Sequence, residues 1–172
     1  MTFRRACGHV ADMDSVDAIL AQWRRERPEL DVAPMGLLGR LVRLTTHLRR
    51  EIEHTLARHG LTASSFDILA TLRRSGAPYR LSPGDLLATA MVTSGTMTNR
   101  IDQLEKIGLV ERLPNPEDGR GVLVALTAIG LERIEAAVTA HVETQIRLTA
   151  EMPETDREAL DALLRGWLAR FE

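Results

Sequence analysis

The chain has 172 residues, 44% of them hydrophobic and 27% charged, with a formal net charge of −2. That is ordinary globular composition, and it excludes a largely disordered chain and a strongly basic nucleic-acid coat. No apolar run approaches the roughly 20 residues that span a bilayer, which excludes a helical membrane protein.

Aromatic residues make up only 3% of the chain, so Leu, Ile, Val, Ala and Met must build the core, which suits helix packing. Arg4-Arg5 has no apolar stretch behind it and is not an export signal. The single Cys7 excludes an intrachain disulfide and a Cys-based zinc site, and a cytoplasmic home is expected. Cys7 reads as a free thiol in a loose tail, with a redox sensor as the alternative. Residues 1–13 are expected to be a flexible leader.

Residues 14–27 predict a short amphipathic helix, with Ser15 as N-cap and Val16, Ile19, Leu20 and Trp23 on one face. With the break that follows, this extra N-terminal element spans 14–32. A second helix is predicted from about Met35 to Arg58, striped by Leu37, Leu38, Leu41, Leu44, Leu48, Ile52 and Leu56. It ends at His59-Gly60, where glycine supplies a left-handed cap. A helix this long in a small chain points to a dimer interface; the alternative is a monomeric helical bundle.

Thr62 or Ser64 caps the next helix, which runs to about Ser75. Tyr79 to Leu81 is a short strand. Ser82-Pro83 opens a short helix over 83–90, with Pro at the first helical position. After a turn at Met91-Val92, Thr93 or Ser94 caps a helix running to Ile107 and stopped by Gly108. Leu109 to Leu113 and Val122 to Leu126 read as strands, joined by turn formers from Pro114 to Gly119. Thr127 caps a long helix over about 128–150. Thr155, with Glu158 three residues on, predicts a capping box for a last helix to Phe171.

Helix, short helix, helix and hairpin over 61–127 make a winged helix-turn-helix. The fold is therefore expected to be mainly α with a small β-wing. Residues 33–60 and 128–172 are expected to form a helical dimerisation region. Such a unit lays one helix in a DNA groove and a hairpin tip beside it. Thr93, Ser94, Thr96, Thr98 and Asn99 supply the short polar side chains that the groove-facing end of that helix needs. The alternative is a set of caps on a solvated face. Residues 61–127 carry seven basic and seven acidic side chains, so net charge does not favour DNA binding. Placement of the arginines decides it.

The wing run Asp118-x-Arg120-x-x-x-x-x-Leu126-Thr127 resembles the wing signature of the MarR family of bacterial transcription regulators. The run from Thr98 to Arg112 resembles that family's recognition helix and first wing strand. Together with the element order, the resemblance covers about 35–171. It implies a homodimer on a pseudo-palindromic double-stranded operator, usually as a repressor, with Arg120 entering a minor groove at the wing tip.

The chain is also similar to the urate-responsive subgroup, whose members carry an extra N-terminal helix with a Trp, an Asp and two arginines. Trp23, Asp67, Arg100 and Arg112 fill those positions. The resemblance implies a pocket for urate or another small organic anion. Arginine offers paired donors without loss of charge. Taken singly, the same four residues read as a core Trp, a helix-surface acid and solvated or phosphate-pairing arginines. In this reading an Asp67–arginine interaction holds the DNA-ready arrangement, and the anion competes for the arginines. A different anion (citrate, trans-aconitate or a phenolic acid) is one alternative, and a winged protein-interaction module without DNA binding is another. No cofactor, catalytic residue or metal ligand set is expected, since HExxH, G-x-S-x-G, P-loop and dinucleotide motifs are all missing from the sequence.

Overall fold

The computed structural model describes residues 13–90, 97–116 and 121–172. The leader with Cys7, the turn carrying Thr93, Ser94 and Thr96, and the wing tip carrying Asp118 and Arg120 lie outside the described residues. The chain divides into two compact units, one through Arg49 and one from Arg50 onward.

In the first unit, α1 (Ser15–Glu26) is capped by Asp14, not by Ser15 as the sequence suggested. The Asp14 carboxylate accepts from the amides of Val16 (2.8 Å) and Asp17 (2.9 Å), while Asp17 accepts from the Asp14 amide (3.0 Å). A carboxylate at this position also meets the positive end of the helix dipole, an advantage that Ser15 lacks. The Arg40 guanidinium, followed by the Asp17 amide, pulls the Asp14 carboxyl down to about 2. Val16 and Leu20 are buried, whereas Ile19 and Trp23 stay about two-fifths exposed. The second helix, α2 (Ala33–Ala57), starts two residues earlier than predicted.

In the second unit, Thr62 caps α3 (Ala63–Arg74), accepting from the Ser65 amide. Its core side chains Ile68, Leu69, Thr71 and Leu72 recur at helical spacing and are sealed from solvent. Ser82 and Pro83 open α4 (Pro83–Thr89) as predicted. Met97, Ile101 and Leu104 form the buried stripe of α5 (Met97–Lys106). Gly108, at φ +74°, ends that helix in the left-handed conformation glycine adopts without penalty.

Strands β1 (Arg80–Leu81), β2 (Val110–Pro114) and β3 (Val122–Leu126) form an antiparallel sheet in the order β1-β3-β2. Arg80 pairs with Ala125, and Arg112 with Val124. Three consecutive β3 residues, Val124 to Leu126, are buried, so strict alternation fails there. The central strand packs against α3, α4 and α6, which removes its exposed face.

Thr127 caps α6 (Ala128–Thr149), accepting from the Gly130 amide and donating to the Gly108 carbonyl. One hydroxyl thus ties α6 to the junction of α5 and β2. Further along α6, Thr144 shares a buried hydrogen bond of 2.8 Å with Thr55. The last helix, α7 (Glu154–Leu168), begins at Pro153 and has no side-chain cap. The predicted Thr155 capping box does not form. Pro153 fixes the turn, and its carbonyl takes the Asp156 and Arg157 amides, which places Thr155 inside the helix.

Candidate nucleic-acid interface and ligand site

The candidate reading surface is the outer face of α5. Its apolar stripe fixes which residues point inward, so Thr98, Asn99, Asp102, Gln103 and Lys106 are left exposed. Thr98 and Asn99 sit on the first turn, as the sequence reading required. Thr93, Ser94, Thr96 and Arg120 fall outside the described residues. Gln103 was missed. It lies one turn beyond Asn99 on the same face, and its amide can pair with base edges as Asn can. The i, i+4 relation to Asn99 was the available signal.

Arg100 points away from that face and is partly buried. Its Nη1 donates to Thr62 Oγ1 at 3.4 Å, so α5 reaches the N-terminal cap of α3. Its Nε is sealed from solvent without a hydrogen-bond partner among the described residues. A buried donor left unpaired costs roughly 1–3 kcal/mol, so this guanidinium edge favours an incoming acceptor.

Asp67 is half-buried on α3, one turn above Thr62. Its carbonyl accepts from the Thr71 hydroxyl at 2.7 Å. The neighbouring Phe66 ring stands 4.8 Å from the His141 ring on α6. Burial holds His141 below its ordinary pKa.

Arg112, on β2, is committed elsewhere. Nη2 donates to Asp102 Oδ1 at 2.5 Å, Nη1 pairs with the Glu105 carboxylate, and its backbone amide donates to Glu105 Oε1 at 3.2 Å. The two carboxylates, Asp102 first, raise its pKa above the usual guanidinium value, so it stays charged. Arg100 and Arg112 therefore lie on α5 and on the strand bound to it, and Asp67 lies on the helix beneath Arg100. Trp23 belongs to the first unit, exposed by 40% on α1.

Among the described residues no group of three or more His, Cys, Asp or Glu is placed to hold a metal ion. Among them, too, no helix is long and apolar enough to cross a membrane.

Comparison with known proteins places this arrangement. Residues 61–122 match the model described as the MarR family. The chain is 40% identical over 149 residues to the HTH-type transcriptional regulator PecS of Dickeya dadantii, covering 87% of this chain and 90% of that one. A mutant MarR from Escherichia coli, solved in complex with operator DNA, is similar with a TM-score of 0.67 and 29% identity. That match covers 85% of this chain and 97% of the other. The Bordetella bronchiseptica regulator BpsR, whose DNA binding is regulated by 6-hydroxynicotinic acid, is similar with a TM-score of 0.66 and 26% identity. It covers 75% of this chain and 91% of its own.

Proposed function

The chain belongs to the MarR family of DNA-binding transcriptional regulators, and from that membership we propose a homodimeric repressor released from its operator by a small organic anion, with urate the first candidate. One observation carries the ligand half of this reading. The buried, unpartnered Nε of Arg100 lies on the same helix as Thr98 and Asn99. An anion that accepts from Arg100 therefore acts directly on the element that meets DNA. BpsR supports the ligand class, since its effector is also a small ring carrying an acid group.

In this reading Thr93, Ser94, Thr96, Thr98, Asn99 and Gln103 meet the major groove, and Arg120 enters the minor groove. Asp67, Arg100 and Arg112, all of the second unit, supply the polar groups that the anion meets. A ligand shifts the equilibrium only as far as it prefers one state. The anion favours the state whose two recognition helices no longer match successive major grooves, about 34–36 Å apart.

The homodimer is supported by α7, none of whose residues is buried: Leu160, Leu163, Leu164 and Leu168 all stay exposed although they are large and apolar. An exposed apolar face of that kind marks an interaction surface.

Two substitutions test the two halves separately. Asp67→Asn is expected to bind DNA while losing most of the response to the anion, read as the ligand concentration that releases half the DNA. A full response in that variant contradicts the pocket. Arg120→Ala is expected to weaken DNA binding by about 1–3 kcal/mol at moderate salt, measured by titration. Unchanged affinity there contradicts the wing contact.

A further inference from the structure

Asp102 and Glu105 are negative charges on the very helix that approaches phosphates. Left free, they would oppose binding. Both are held by one guanidinium projecting from β2, and the Arg112 backbone amide adds a further bond to Glu105. Arg112 is itself fixed by its place in the sheet, where it pairs with Val124 on the central strand. Its side chain is 30% exposed, against 57% for Asp102 and 39% for Glu105, so the guanidinium is the more sheltered member of the cluster. At the turn that joins the two elements, the Leu109 amide donates to the Leu104 carbonyl at 2.9 Å. That bond sets where β2 begins. The two carboxylates, at i and i+3 on one side of α5, add a side-chain tie between the helix and β2.

We propose that Asp102 and Glu105 are positioning residues for DNA recognition: held by Arg112, they lock α5 to the wing, so that helix and wing meet DNA as one rigid reader. The inference rests on the reading that α5 is the DNA-contacting helix. It also gives the anion a mechanical target, because a ligand that draws Arg112 away frees α5 from the wing.

The test turns on a sign. Neutralising acids near DNA strengthens binding if they act only through their charge. If they position α5, neutralising them weakens it. The full chain and the double variant Asp102→Asn with Glu105→Gln are titrated against a duplex from the DNA upstream of the chain's own gene, over a range of salt. The double variant is expected to bind about three- to tenfold more weakly, with an unchanged slope of log affinity against log salt. Arg112→Ala is expected to do the same. Arg112→Lys, which keeps the charge but not the fork, recovers part of the loss. The exchange of Glu105→Arg with Arg112→Glu keeps one arm of the clamp and binds more tightly than either change alone. Circular-dichroism melting establishes that each variant compared is folded, and the exchange supplies the comparison if Arg112→Ala is not.

Equal or tighter binding by the double variant overturns the proposal. So does a salt slope that falls by about 1 in Arg112→Ala, since that marks a direct phosphate contact. If the unaltered chain fails to bind any such duplex, the DNA reading falls and the clamp falls with it. If the unaltered chain binds and the double variant matches it, only the clamp is lost.

Discussion

Gly130→Ala is expected to destabilise the second unit by about 3 kcal/mol, a large fraction of a domain's total stability. Gly130 is buried in the first turn of α6, where the helix rides directly on the backbone of Leu109. A Cβ at this position would lie 2.8 Å from the Leu109 carbonyl carbon and closer still to its oxygen. The obstacle is backbone, so no rotamer change relieves it. That carbonyl also accepts the Thr127 amide at 3.2 Å, and the Thr127 hydroxyl holds both Gly130 and Gly108. The clash therefore pushes α6 away from the point where α5 passes into β2. Urea unfolding followed by circular dichroism reads the effect as a lower midpoint with unchanged slope. A loss smaller than about 0.5 kcal/mol would show that α6 does not pack this closely.

Leu104→Ala is expected to cost about 2–5 kcal/mol, as large-to-small changes in sealed cores do. Leu104 is 1% exposed and is the last of the three residues, after Met97 and Ile101, that seat α5 on the core. Three anchors are few for a helix that must hold its outer face against a DNA groove. The cavity left by the lost side chain therefore loosens the reading element as well as lowering stability. Leu104→Met conserves volume and is expected to cost less than about 1.5 kcal/mol. Parallel unfolding curves for the two variants check this, and similar losses in both would mean that the site does not behave as a close-packed core position.

The helices with clear apolar stripes were legible because burial imposes the periodicity that the sequence displays. The stripe Met97, Ile101 and Leu104, the Thr62, Ser82 and Thr127 caps and the Gly108 stop all follow from local chemistry. The misplaced ends have equally local reasons. Asp14 outcompetes Ser15 as a cap because it is charged and meets Arg40, twenty-six residues away. Pro153 starts α7 early because its ring already has helical φ.

The pairing of Arg112 with Asp102 and Glu105 was not legible, since it depends on how β2 folds back along α5. That pairing also accounts for the uninformative charge count over 61–127. Part of the acidic charge is spent inside the DNA-reading unit and does not report on the surface offered to phosphates. Gln103 was missed for a simpler reason. It lies beyond the first turn of α5, where capping residues give the sequence signal, while the exposed face of the helix continues for another turn.

The most direct test of the account follows fluorescence anisotropy of a labelled duplex from the upstream DNA as the full-length chain is added, then titrates the complex with urate and, in parallel, with citrate and trans-aconitate. The account predicts tight, salt-dependent binding that one of these anions reverses, with urate acting at the lowest concentration. A complex that forms and persists through all three titrations would contradict it.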